Sequence, residues 1–286
     1  MERDLGITFA GGGNRAFYVL GLLRRWPETL WSRVAGVATV SAGACVAIMH
    51  LSGRAAEAHD FWCRRRAGVT RNLDWSKLLR GERPAPHYEV YRDTMLHTLA
   101  EGGLERVRAL PFPLLILAAR LPRFVPVPLA TLLGVAVYQA EKALRPRMIH
   151  PTWGRLAGFA PEVIDARDCR DPAALADAVL ASSATPPFTP LGSWHGTPLL
   201  DGGMIDNVPA YLADDLPGVR RNLVLLTRPY PPGVTGRRGR RLYVAPTRPV
   251  PIERWDYTRP ELLADTIRMG EAEAEIHAPL LADFLG

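Results

Sequence analysis

The sequence predicts an α/β fold built on a parallel sheet with crossover helices. Two strand–turn–helix units follow one another at the start of the chain, spanning Leu5 to Trp26 and Val34 to Leu51. A third short apolar run, Leu114 to Ala119, reads as another buried strand. The chain is also large enough to close one core: 286 residues, 48% of them apolar. A chain of this mass folds to an accessible surface of about 12,000 Å². One domain over residues 1–286, needing no disulfide or metal, is therefore expected.

The elements follow in order. Leu5–Phe9 is a buried strand, and Gly11-Gly12-Gly13-Asn14 follows at once. Phe17, Leu20 and Leu23 recur at helical spacing up to Trp26-Pro27. Val34 to Val40 is small and β-branched, which suits a strand. Ser41-Ala42-Gly43 turns into a helix from Ala44 to Leu51, with Gly53 as its C-cap. Glu57 to Arg66 reads as helix, and residues 67–110 as a mixture of helix and loop. Val163 to Ala166 is a short strand. Asp171 caps a helix that has Pro172 in its first position and runs to Leu180. Pro198-Leu199-Leu200 leads into Asp201-Gly202-Gly203, and Asn222 to Thr227 is a further strand. Pro231 to Arg241 reads as a proline-, glycine- and arginine-rich loop, and Pro260 to Phe284 as a mainly helical tail.

Residues 120–148 stand apart. Phe124 to Tyr138 is strongly apolar, is flanked by arginines and is interrupted by Pro126 and Pro128. A span needs about 20 mostly apolar residues, and this stretch is shorter and broken. It is expected to be a core helix, or a lid or membrane-contacting insertion.

Composition limits the partners. Lys plus Arg is 35 and Asp plus Glu is 29, a net charge of +6 that favours anionic partners. The odd set Cys45, Cys63 and Cys169 has no CxxC spacing, which argues against a disulfide framework and favours a reducing compartment. No signal peptide is expected, since no basic stretch leads into an apolar one near Met1. Asp165, Asp168 and Asp171 read as a solvated turn and a helix cap, and no metal or cofactor is expected.

Three places could carry chemistry. Ser41 lies between a strand and a helix, the setting of a nucleophile elbow, although a plain N-cap explains it equally. Gly11, Gly12 and Gly13 can turn backbone N–H groups toward an anion, as an oxyanion hole, a phosphate cradle or only a tight turn. Asp201 is a turn-forming Asp-Gly, or a base that takes a serine proton without a histidine. Of the seven histidines, His277 would be last in a Ser–His–Asp order, yet it reads as a solvated helix residue; His195 reads as a hairpin residue.

Taken together, the ordered set resembles the patatin-like phospholipases over most of the chain. Gly11-Gly12-Gly13-Asn14-Arg15 is similar to that family's GGGxR stretch, and Ser41 in Val40-Ser41-Ala42-Gly43 to its nucleophile. Ala181-Ser182-Ser183-Ala184-Thr185-Pro186 is similar to its ASSAxP segment. Asp201-Gly202-Gly203 matches its D-G-[GA], and Asn207 and Pro209 its N-x-P. The resemblance implies a three-layer α/β/α sandwich with a mainly parallel sheet. It implies a Ser41–Asp201 dyad that forms an acyl-enzyme on a lipid ester, most naturally a phospholipid. The stretch Gly11 to Arg15 would form the oxyanion hole, through the amides of Gly12, Gly13 and Asn14. Gly43, Gly202 and Gly203 would support the elbow and the aspartate loop.

Two positions depart from the pattern. Thr39 and Ala16 stand where the family has glycine, so a Cβ is expected in the crowded elbow. On those two positions rests the alternative of a silent lipid- or anion-binding protein. An acyltransferase on the same fold is a second alternative. A nucleic-acid binder rests only on Arg64-Arg65-Arg66 and Arg237-Arg238-Gly239-Arg240-Arg241, with no reading motif, and is not expected. The expected setting is cytoplasmic, with peripheral contact to anionic membrane.

Overall fold

The computed structural model describes residues 2–186 and 188–286. Among them, nine strands form one sheet: β1 Leu5–Phe9, β2 Val34–Val40, β3 Leu114–Arg120, β4 Ala160–Asp165, β5 Gly192–Trp194, β6 Thr197–Asp201, β7 Arg221–Leu225, β8 Gly236–Arg238 and β9 Arg241–Val244. The path runs β5-β6-β3-β2-β1-β7-β9-β8, with β4 on β3. The sheet is more mixed than expected. β3, β2, β1, β7 and β9 are parallel neighbours, whereas β4, β5, β6 and β8 join antiparallel. β5–β6 and β8–β9 are hairpins closed by tight turns, whereas β4 returns antiparallel to β3 after the helical stretch 127–156.

Side-chain alternation divides the core between the two faces of the sheet. Leu5, Ile7 and Phe9 of β1 join Leu223, Leu225, Leu242 and Val244 in the main cluster. Val224, Leu226, Tyr243 and Ala245 point the other way, onto Val208 and Ala210. Along β3, Leu114, Ile116 and Ala118 face the main cluster, while Leu117 and Ala119 pack with Val40, Phe159 and Leu200.

One register decides where the site forms. β2 pairs with β3 only as far as Val40 opposite Leu117. Beyond that point β6 lies along β3, with Asp201 opposite Ala118. β4 occupies the other edge of β3 over the same residues. β6 therefore continues on the edge that β2 leaves, and runs toward it. The end of β2 and the end of β6 meet, which brings Ser41 against Asp201.

Most of the expected elements are present. Asp171 caps the Pro172–Ala181 helix by accepting the Ala174 N–H at 2.8 Å. The stretch Pro231 to Arg241, read as a loop, contains β8, and Leu242–Val244 beyond it adds a parallel strand. His195 sits in the turn between β5 and β6. His277 is not the solvated residue expected: it is half-buried, and its ring lies 3.3 Å from the Tyr18 hydroxyl.

The apolar stretch becomes a helix, Val127–Leu144, on the outside of the sheet. Its prolines start the helix rather than interrupt it. Pro126 is the N-cap and Pro128 lies in the first turn, where no amide partner is lost. No helix among the described residues is long and apolar enough to cross a membrane.

A buried carboxylate fastens the far end of this helix. Glu141 is fully buried and accepts from Thr152 N (2.9 Å), Trp153 N (2.9 Å), the Thr152 hydroxyl (3.0 Å) and Arg145 (2.7 Å). Removing the carboxylate strands two backbone donors. Glu141→Ala is expected to cost about 2–3 kcal/mol and to open residues 127–153 to limited proteolysis, read by thermal unfolding and by mapping the cuts.

Candidate active site

Ser41 follows β2 directly and takes φ 52° and ψ −131°, a conformation that L residues rarely adopt. This sharp turn lifts the side chain off the end of the strand. The helix Ala42–Leu51 begins at once, so its N-terminus points into the site. Gly43 is required by crowding, because a Cβ there would lie 2.6 Å from the Phe9 carbonyl oxygen and 2.7 Å from that of Ala10.

The Ser41 hydroxyl donates to Asp201 Oδ2 at 3.0 Å. The other carboxylate oxygen, Oδ1, accepts the Gly203 N–H at 2.7 Å. Gly202 passes so close to the Leu117 carbonyl that any Cβ would overlap it. Asp201 is half-buried, and desolvation pushes its carboxyl above the ordinary range; the Gly203 N–H, Arg254 and Ser41 pull back. No histidine takes part in this contact.

The Ser182–Ala184 segment ties the two residues together. The Ser182 hydroxyl accepts the Ser41 N–H at 2.7 Å and donates to the Leu117 carbonyl at 2.6 Å. The Ser182 carbonyl accepts from Gly202 N at 3.1 Å, and the Ala184 carbonyl from Asp201 N at 2.8 Å.

The glycine loop is held by its carbonyls. Gly11 O accepts from Thr227 Oγ1 at 2.8 Å and Asn207 Nδ2 at 3.1 Å. Gly12 O accepts from Arg15 Nε at 3.3 Å. In a trans peptide the following N–H points opposite to the carbonyl, so these bonds aim the N–H groups of Gly12 and Gly13. Among the described residues, those two donors meet no acceptor. The neighbouring amides are engaged: Gly11 N with Asn207 O and Asn14 N with Arg254 O, both at 3.0 Å. The Asn14 side chain is buried and donates to Asp256 O at 2.7 Å. The loop also touches the elbow, since a Cβ at Gly11 would lie 3.4 Å from Ser41 Cβ.

The two departures are absorbed. Thr39 is fully buried and donates its hydroxyl to Leu115 O at 2.9 Å, while Ala16 packs in a buried helical turn. Neither disturbs the Ser41–Asp201 contact.

A cavity of about 680 Å³ opens on Asp201, Gly203 and Asn207, and the Val127–Leu144 helix walls it through Gly134, Val135 and Tyr138. His87 lines it too. Burial lowers the His87 imidazole to about 3, so it is neutral, and its Nε2 has no partner among the described residues. The motif pattern supplied Ser41, Asp201 and the glycines. It did not single out Thr227 or His87, nor Tyr91, whose hydroxyl donates to the Ser41 carbonyl at 3.4 Å. Thr227 was the most accessible of these, as a polar residue just past a parallel strand.

Two stability effects follow. Asp201 keeps its proton to a higher pH when folded than when unfolded, so its charge lowers stability at neutral pH and that loss fades as pH falls. Asp201→Asn is expected to raise the melting temperature by a few degrees, about 1 kcal/mol. Ser41→Gly is expected to be about 1 kcal/mol more stable than Ser41→Ala, because only glycine relaxes at this positive φ. Thermal unfolding of the three variants at pH 5 and pH 8 checks both.

Compared with known proteins, residues 7–214 match the family described as patatin-like phospholipase. No individual curated protein matches the chain. The matched segment is more than two thirds of the sequence and carries the glycine loop, the elbow and the aspartate loop. The chain therefore belongs to the patatin-like phospholipase family, and with it to the lipid hydrolases.

Proposed function

We propose that the protein is a serine acyl hydrolase that cleaves phospholipid esters through a Ser41–Asp201 dyad, on a sheet layered between helices. The observation that carries this reading is the 3.0 Å contact from the Ser41 hydroxyl to Asp201, beside two unengaged glycine amides.

The steps balance on these groups. Ser41 Oγ attacks the ester carbonyl carbon while its proton passes to Asp201. The carbonyl oxygen becomes an oxyanion held by the N–H groups of Gly12 and Gly13, aided by the helix N-terminus behind Ser41. The C–O bond to the alcohol then breaks, and Asp201 returns the proton to the leaving oxygen. Water attacks the acyl-enzyme, gives a proton to Asp201, and the fatty acid leaves as Ser41 regains its proton. An alcohol in place of water would make the protein an acyltransferase.

Membrane docking fits the surface. Leu73, Val135 and Trp255 line the cavity and are also exposed to solvent. Phe124, Leu129 and Leu132, exposed too, lie just before Val135, at the start of its helical segment. With a net charge of +6, this suits an anionic lipid surface. Three free cysteines suit a reducing compartment, and we place the enzyme in the cytoplasm, at the membrane periphery.

Fluorophosphonate labelling with intact-protein mass spectrometry tests the chemistry. Wild type is expected to take one adduct at Ser41, and Ser41→Ala to take none and lose activity by about 10⁴-fold or more. An adduct that survives in Ser41→Ala would overturn the dyad. Because Asp201 must be ionised and desolvation raises it, kcat/KM is expected to fall on the acid side above the usual carboxylate range, about 4. For docking, Phe124→Ser with Leu132→Ser is expected to cut sedimentation with phosphatidylserine vesicles by tenfold or more. Unchanged sedimentation would remove the docking surface from the reading.

A further inference from the structure

Four basic residues lie around the glycine loop and the cavity, and the carboxyl that the nearest of them, Arg254, acts on is that of Asp201. Arg15 follows the glycine loop, and Arg228 follows the Thr227 that packs on Gly12. Arg254 packs on Gly13, close enough that a Cβ there would lie 2.6 Å from its Cγ, and it lines the cavity. Lys142 lies one helical turn beyond Tyr138, which lines the same cavity. Among the described residues, none of the four comes within 4.0 Å of a carboxylate, although arginines elsewhere are extensively paired.

Their charges act on one another. Burial, Arg254 and Arg228 lower Arg15 to about 10, and burial with Arg228, Arg254 and Arg15 lowers Lys142. Only weak partners are present. Arg228 stacks over Tyr230 at 4.0 Å and donates to Met148 O at 3.4 Å, and Arg15 donates to Gly12 O. The Arg254 guanidinium and the Lys142 ammonium meet no acceptor among the described residues. Like charges held near one another without a paired carboxylate lower stability, so the arrangement is poised for an anion.

We propose that Arg228, Arg254 and Lys142, with Arg15 behind them, form a subsite for the phosphate of the substrate, and that they select lipid esters bearing a phosphate monoester. This rests on the acyl-hydrolase reading and names its substrate class. Four cations match a dianion better than the single charge of a phosphodiester, and guanidinium groups grip phosphate oxygens in pairs. Arg228 and Arg254 lie beyond the segment that matches the family, whereas Arg15 and Lys142 lie within it.

The test compares kcat/KM for phosphatidate, phosphatidylcholine and diacylglycerol of one acyl composition in mixed micelles. Fluorophosphonate labelling runs in parallel. Wild type is expected to favour phosphatidate over diacylglycerol by at least tenfold. Arg228→Gln with Lys142→Gln is expected to reduce that ratio at least tenfold. Arg268→Gln, an exposed arginine paired with Asp265 on the C-terminal helix, is expected to leave the ratio alone. A ratio near one in labelled wild type overturns the subsite while the acyl-hydrolase reading survives.

Loss of labelling sinks the reading instead, and calorimetry then judges the subsite. Glycerol 3-phosphate is expected to bind wild type and to bind the double variant at least tenfold more weakly. Inorganic phosphate binding as tightly as glycerol 3-phosphate would assign the site to free phosphate and overturn the lipid assignment. No binding of either would overturn the subsite outright. Circular dichroism of each variant separates these outcomes from misfolding.

Discussion

The site depends on the handover along one edge of β3. β2 leaves that edge after Val40 opposite Leu117, and β6 takes it up with Asp201 opposite Ala118. Two strands cannot meet head to head on one edge without leaving a gap in the ladder, and here the gap falls at the Leu117 carbonyl. The Ser182 hydroxyl fills it, and the same oxygen holds the Ser41 amide. A backbone vacancy that would otherwise cost hydrogen bonding thus becomes the brace between Ser41 and Asp201.

The same logic applies to the glycine loop. Its donors are aimed indirectly, by Thr227, Asn207 and Arg15 holding the carbonyls of the peptides that carry them. Each of those side chains comes from a different part of the chain, and the sheet brings them together at the C-terminal ends of the parallel strands. There the crossover connections open a crevice, as in other α/β sheets.

Much of this was legible in the sequence because the chemistry needs particular residues at short spacing. Gly11 to Gly13 and Ser41 to Gly43 each lie within one turn, so local pattern finds them. Asp201 lies far along the chain, and only its fixed D-G-G setting marks it. Thr227 and His87 were not legible, since their roles arise from strand neighbours and a cavity wall that no local pattern encodes. The antiparallel flanks escaped for a related reason. β5 and β8 have three residues each, too few for an alternation to show. The prolines of the Val127–Leu144 helix misled because proline reads as a breaker wherever it falls, whereas position within the helix decides its effect.

The groups that make the site useful are the ones that fold least willingly. Ser41 occupies a strained conformation, Asp201 carries its charge in a desolvated setting, and the cations around Arg254 repel one another. None of these lowers the energy of the empty protein. They persist because the surroundings are over-determined: the Ser182 brace, the closely packed glycines and the Glu141 clamp leave these side chains nowhere else to go. Under the proposed function, a bound lipid ester would answer the groups left unpartnered. Its carbonyl would give the glycine amides an acceptor, its phosphate would give the cations a counter-charge, and its acyl chain would cover the apolar mouth. On that proposal, the unengaged donors and unpaired cations of the empty site match the groups of the substrate one by one.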